Sequence, residues 1–171
     1  ILEMVADAAD DYPDVRLDDV GFARPEYCHC ERCNNRFADS EFEDRNEWRA
    51  SVITEFVAEA RELVPGDLYL TLYPDPYEGH LYERSGLDID ALAAYVDEVV
   101  VPLYDMAYTT TYWVEVIASG FVDRLPKPVS FELYAVEVDI DNLIHAVEVA
   151  DEYGKSVLFG YDASQARAAL R

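Results

Sequence analysis

The chain has 171 residues, 36 of them acidic and 13 basic, and carries a net charge of −23 at neutral pH. Phosphate binding needs a basic surface that this composition lacks, so nucleic acid is excluded as a partner. No apolar run approaches the roughly 20 residues that span a bilayer and no signal peptide opens the chain, so a membrane location is excluded and a cytoplasmic one expected.

In chain order, residues 1–10, ILEMVADAAD, read as the end of a helix. Because the sequence opens on Ile1 rather than Met, an upstream portion is expected. The stretch 14–33, DVRLDDVGFARPEYCHCERC, starts as a strand in which Val15, Leu17 and Val20 supply the β character. Asp18 and Asp19 then fall at its C-terminal end, where chemistry collects in α/β folds. Cys28, Cys30 and Cys33, the only cysteines, follow within a cysteine-rich loop at 24–45.

An odd number of cysteines at C-x-C-x-x-C spacing argues against a disulfide framework. The spacing also differs from the C-x-x-x-C-x-x-C pattern of a radical iron–sulfur enzyme. Zinc suits such thiolates, and a closed structural site needs four ligands. His29, between two of the cysteines, is poorly placed to reach the same ion. The fourth ligand is therefore either His80 from a later loop or a residue upstream. The alternative is three free thiols in a reducing cytosol.

Residues 46–64 place Trp48, Val52, Ile53, Phe56, Val57, Ala60 and Leu63 at helical spacing, and Pro65 and Gly66 stop that helix. DLYLTLYP at 67–74 is a strand, followed by an acidic, proline-rich loop containing His80. Asp88 caps a short helix through Tyr95. EVVVPLYD at 98–105 is a strand despite its proline, and a helix near 110–119 ends at Gly120. PVSFELYAV at 128–136 is the next strand. Asp139 or Asp141 then caps a helix to Tyr153, ended by Gly154, before SVLFGYD at 156–162 and a last helix.

This alternation argues for an α/β fold of right-handed parallel β/α units in a single partial domain over 1–171. Five strands cannot close an eight-stranded barrel, so the segment reads as the C-terminal part, about strands 4 to 8, of a (β/α)8 TIM barrel. An upstream half or a second copy of the chain would complete it. The alternative is an open five-stranded doubly wound sheet. Tyr73, Tyr104, Tyr134 and Tyr161 recur where strands meet their loops, often beside an acid such as Asp105 or Asp162. Such a face suits sugars, whose C–H surfaces lie on rings while acids take the hydroxyls; the plainer reading is that tyrosine is a good strand former with a polar handle.

LDDVGF, YCHCERC, Phe37 and EWR at 47–49 together resemble the strand-four region of barrel glycoside hydrolases. The likeness is to β-galactosidases with a cysteine-bound zinc and to glycoside-hydrolase-like barrels with a C-x-C-E-x-C motif, and it is specific around residues 17–49. It implies Asp18-Asp19 in place of an Asn-Glu pair, Asp19 as the acid, Glu132 in SFELY as nucleophile or base, and Cys28, Cys30 and Cys33 as zinc ligands. Aspartate is one carbon shorter than the glutamate it replaces. Retaining chemistry sets its carboxyls about 5 to 5.5 Å apart and inverting chemistry roughly 6.5 to 9.5 Å, and the shorter side chain favours the wider gap or loss of catalysis. The acidic, lysine-poor composition is similar to that of halophilic archaeal proteins.

Other residues compete for roles around a sugar. Asp105, Asp162 and Glu137 are candidates for hydroxyl binding, His80 for the site, and Trp113 either for stacking on a sugar or for packing on the sheet. His145 reads as structural, Trp48 as core and Arg49 as a partner of the acidic strand end. Two functions follow: a hydrolase in which Asp19 and Glu132 converge in a tyrosine-lined pocket, or a non-catalytic barrel that binds sugar or a protein partner and uses zinc as a staple. A metal-dependent hydrolase of another kind is disfavoured by a total of three histidines.

Overall fold

Short runs of valine, leucine and phenylalanine set five strands: β1 (Val15–Leu17), β2 (Leu68–Thr71), β3 (Glu98–Pro102), β4 (Val129–Tyr134) and β5 (Val157–Gly160). Among the described residues eight helices lie between and around them: α1 (Leu2–Asp11), α2 (Glu31–Ala38), α3 (Arg45–Leu63), α4 (His80–Ser85), α5 (Ile89–Leu92), α6 (Tyr112–Arg124), α7 (Ile140–Tyr153) and α8 (Ala163–Ala169). The computed structural model describes residues 1–170. Its strands form one sheet in the order β1-β2-β3-β4-β5, and the pairings β1 with β2, β3 with β4 and β4 with β5 are parallel. This is the parallel α/β class expected from the sequence, with each β/α unit adding the next strand on the same side of the last. No helix of the described residues is long and apolar enough to cross a membrane.

The chain divides into two compact units. The first holds Ile1–Leu70 and Tyr77–Asp97, the second Thr71–Pro76 and the residues from Glu98 onward. In the first, α1 lies against α3, and Val5, Leu17, Trp48, Ile53, Val57 and Leu68 are buried. Asp44 caps α3 by accepting from the Asn46 and Glu47 N–H groups at 2.6 and 3.1 Å. Arg61 reaches Asp97 at 2.6 Å, and the same carboxylate oxygen accepts the Leu68 N–H at 2.8 Å, which fixes the start of β2. Gly66 follows Pro65 because a Cβ there would stand 2.6 Å from the Pro13 carbonyl oxygen.

In the second unit β3, β4 and β5 run in register, with Pro102 beside Glu132 and Glu132 beside Leu158. Leu72 donates to the Val100 carbonyl at 3.0 Å. Val99, Val101, Leu103, Phe131 and Leu133 are buried, while α6 and α7 contribute Val114, Ala118, Phe121, Leu143, Ala146 and Ala150. Covered strands of this kind read as continuous apolar runs.

Three local readings are corrected by the structure and a fourth, left open between two residues, is settled. Gly120 does not end its helix; α6 runs on to Arg124. The glycine is there because a Cβ would stand 2.9 Å from the ring carbons of Pro76. Asp139, not Asp141, caps α7, accepting from Asn142 N–H at 3.1 Å. The cysteine-rich loop contains α2, and the proline-rich loop after β2 contains α4.

Candidate functional site

Two places gather chemistry-bearing side chains, one in each unit. In the first unit, Cys30 is the N-cap of α2 and Cys33 lies in its first turn, so the helix start folds two thiols toward Cys28. The three sulfurs all lie within 4.8 Å of one another. Tetrahedral coordination with sulfur–metal bonds of about 2.3 Å places sulfurs roughly 3.8 Å apart, so this donor set fits a metal ion after a small contraction. The Cys33 backbone N–H, then hydrogen bonds from the neighbouring thiols, lower the Cys30 pKa to about 7. Burial, then hydrogen bonds with the Cys28 and Cys30 thiols, push Cys33 up to about 11.

The loop is held by its surroundings. Asn34 donates to the His29 carbonyl at 2.9 Å, and Arg45 donates to the Cys28 carbonyl and, at 3.1 Å, to Asn34 Oδ1. The Arg45 guanidinium lies 5.1 Å from the Phe37 ring centre and 5.3 Å from that of Trp48. Phe22 and Phe37 both pack on Trp48, which is core as expected.

Arg49, expected to face the acidic strand end, is instead fully buried. It donates to the carbonyls of Arg24, Glu83 and Arg84 at 3.1, 3.0 and 2.8 Å and to Asn46 Oδ1 at 3.0 Å. Burial lowers its pKa, yet four acceptors hold the guanidinium. It therefore ties the start of the cysteine loop to α4, a role invisible without the fold.

Asp18 and Asp19 are exposed just beyond β1, Asp19 with a left-handed φ of 51°. They border a groove of about 630 Å³ lined by apolar side chains of α1 and α3, among them Val5, Ile53 and Phe56, and by charged ones such as Arg36, Glu55 and Glu59. His80 stands at the start of α4 against the Tyr77 ring, 5.4 Å between centres, and among the described residues no fourth ligand joins the cysteines.

In the second unit the tips of β3, β4 and β5 bring three of the four tyrosines together. Ring centres of Tyr104, Tyr134 and Tyr161 are 6.1, 5.9 and 5.8 Å apart pairwise, each pair tilted by about 60°. This is edge contact between rings, so the trio forms a packed aromatic surface. Tyr73 lies outside it and is exposed. The Tyr104 phenol is hydrogen-bonded to the Glu132 carboxylate, and burial, then that bond and that charge, raise its pKa far above the usual tyrosine range. Gly160 makes room for the phenol, since a Cβ there would lie 3.1 Å from Tyr104 Oη.

Asp105 is fixed as well: one carboxylate oxygen accepts the Ala107 and Tyr108 N–H groups at 2.8 and 3.3 Å. That turn holds Tyr108, buried at a φ of 46°. The Tyr108 phenol donates to the Leu103 carbonyl and accepts the Tyr134 N–H, both at 2.8 Å, bridging the tips of β3 and β4. Sequence reading missed this tyrosine; its only signal was the Asp three residues before it. Trp113 stacks on Tyr108 with ring centres 6.5 Å apart and planes 12° from parallel.

Tyr104, Asp105, Met106, Tyr134, Val136 and Tyr161 line a cleft of about 460 Å³. Asp162 is occupied as the cap of α8, accepting from the Ser164 N–H and hydroxyl at 2.7 and 2.6 Å, which lowers its pKa. Glu137 is exposed beyond β4 at a φ of 53°, and His145 meets Thr111 Oγ1 at 3.2 Å on α7. No family model matches this chain, and no curated protein matches it.

Proposed function

We propose that the tyrosine cleft binds carbohydrate and that the chain hydrolyses a glycosidic bond there. Glu132, hydrogen-bonded to Tyr104, is the nucleophile or base, and the glycoside-hydrolase resemblance gives the acid role to Asp19, a residue of the other compact unit. The observation that carries this reading is the Glu132 carboxylate, hydrogen-bonded by the Tyr104 phenol beside three mutually packed tyrosine rings at the C-terminal strand ends. The apolar face of a pyranose lies on the exposed Tyr161 ring while Asp105 and the phenols take hydroxyls. Glu132 then attacks the anomeric carbon or deprotonates a water that does so, as the leaving oxygen receives a proton from the acid.

The test is turnover of a panel of nitrophenyl glycosides alongside calorimetric binding of the corresponding sugars. Glu132→Gln is expected to lower turnover about 10³-fold with sugar affinity retained. Turnover unchanged in that variant overturns the catalytic assignment. Sugar binding without any turnover replaces hydrolysis with a non-catalytic sugar-binding role.

We also propose that the ion held by Cys28, Cys30 and Cys33 is zinc and that its role is structural. The thiolate donor set supports this, and the loop it closes carries few buried side chains of its own. Zinc titration should fill one site per chain and protect residues 24–45 from proteolysis; loss of neither in Cys30→Ser refutes it.

A further inference from the structure

Within the carbohydrate reading, the side chains of the cleft discriminate among sugars by charge. None of its six lining residues is basic, and three are tyrosines whose ring faces are electron-rich. Asp105 is the only ionisable carboxylate among those six. Its side chain is held by two backbone N–H groups, so it is presented to a ligand in one orientation with little entropy left to lose. It is partly buried and makes no ion pair among the described residues. A fixed carboxylate without a cation, set against π faces, is an attractive position for an ammonium group and a repulsive one for a second carboxylate.

The ring geometry decides how such a ligand sits. With centres about 6 Å apart the three rings touch one another and leave no space between them for a quaternary ammonium. A cation therefore docks on the outside of the trio, as one substituent of a ring that stacks there, with Asp105 at its edge. An aminated pyranose meets both demands.

We infer that the cleft selects cationic amino sugars, that it accepts their neutral counterparts more weakly and excludes uronic acids, and that Asp105 is the residue that sets this order. The inference rests on the carbohydrate reading. The test is calorimetric titration with three trisaccharides: fully deacetylated glucosamine, its N-acetylated form and a trigalacturonate. The deacetylated sugar is expected to bind at least tenfold more tightly than the acetylated one at low salt, with the ratio shrinking in 1 M NaCl as screening shortens to about 3 Å. Trigalacturonate should not bind.

Asp105→Asn keeps the acceptor oxygen for Ala107 and Tyr108, and is expected to bring the ratio toward one by weakening the deacetylated sugar more than the acetylated one. Equal affinity for the two glucosamine forms, or a ratio unchanged in Asp105→Asn, overturns the inference and leaves the carbohydrate reading standing. Binding of none of the three, nor of any sugar in the glycoside panel, overturns both.

Discussion

The same three strands, β3, β4 and β5, carry polar clusters at both ends, and the two clusters are built oppositely. At the N-terminal end Glu98, nearly fully buried, accepts from the Ser130 hydroxyl and from the Lys155 ammonium, and Ser130 meets the Ser156 hydroxyl at 2.7 Å. Every member of that cluster is answered by another member. At the C-terminal end Tyr104, hydrogen-bonded to Glu132, lines an open cleft together with Asp105, Tyr134 and Tyr161. A closed polar network contributes order to the sheet; an open one, backed by rigid strands, is available to a ligand. Stability in this unit is therefore set at the N-terminal strand ends, and binding belongs to the C-terminal ones.

The comparison breaks first at Lys155. Removing it leaves the Glu98 carboxylate buried with only hydroxyl support, and breaking a buried pair from one side typically costs 3–5 kcal/mol. Because the ammonium side of the pair is more than half exposed, Lys155→Ala should lose about 3 kcal/mol, the low end of that range. Urea unfolding measures the loss, and sugar affinity at the far end should not change. A parallel loss of affinity would show that the two ends are one cooperative cluster.

Tyr108 tests the opposite end. Tyr108→Phe leaves the Leu103 carbonyl and the Tyr134 N–H without their shared phenol, a loss on the order of 2 kcal/mol for buried groups. Burial raises the Tyr108 pKa to about 12, above the ordinary value of about 10. The folded state therefore holds this proton more tightly than the unfolded chain does. Its stabilising share is complete below about pH 10 and is lost as pH rises toward 12. Unfolding free energies measured from pH 9 to 12 should fall in the wild type and fall less steeply in Tyr108→Phe. Equal slopes would mean that the phenol is not held as described.

How much of this was legible beforehand depended on whether the signal was periodic. Strand runs such as EVVVP and VSFELY, and the long apolar stripe of α3, announced themselves through repeating valine, leucine and phenylalanine. The tips carrying Tyr104, Tyr134 and Tyr161 followed from strand ends alone. The helix α2, with sequence ERCNNRFA, has no buried residue and so no apolar period to read; it exists as the frame of the cysteine cluster. Gly120 looked like a stop because a glycine's packing role against Pro76 cannot be told from a cap without knowing what lies opposite. Arg49 and Tyr108 were opaque for the same reason: most of their partners are backbone carbonyls and an N–H, which nearly every residue possesses. Only the fold chooses which of them converge.

The sharpest test of the open end changes Gly160, a residue that bears no chemistry. Gly160 is the neighbour of Tyr134 across β4 and β5, and its missing side chain leaves the space that the Tyr104 phenol enters on its way to Glu132. In Gly160→Ala a methyl group would begin 3.1 Å from Tyr104 Oη and 3.5 Å from its Cζ, closer than the ring can accept without moving by a few tenths of an ångström. The strand itself should tolerate the change, with less than about 1 kcal/mol lost, since alanine is no worse than glycine in a strand interior. The phenol–carboxylate bond should not tolerate it, and sugar affinity is expected to fall about tenfold, which is about 1.4 kcal/mol. Tyr104→Phe removes the atom that the methyl would meet. In that background Gly160→Ala should therefore have little further effect on affinity, and the double-mutant cycle should show a coupling close to the whole single-mutant loss. Additive losses would place the effect of Gly160 elsewhere than on Tyr104, and the open end of the sheet would then be held by the strands rather than by the phenol.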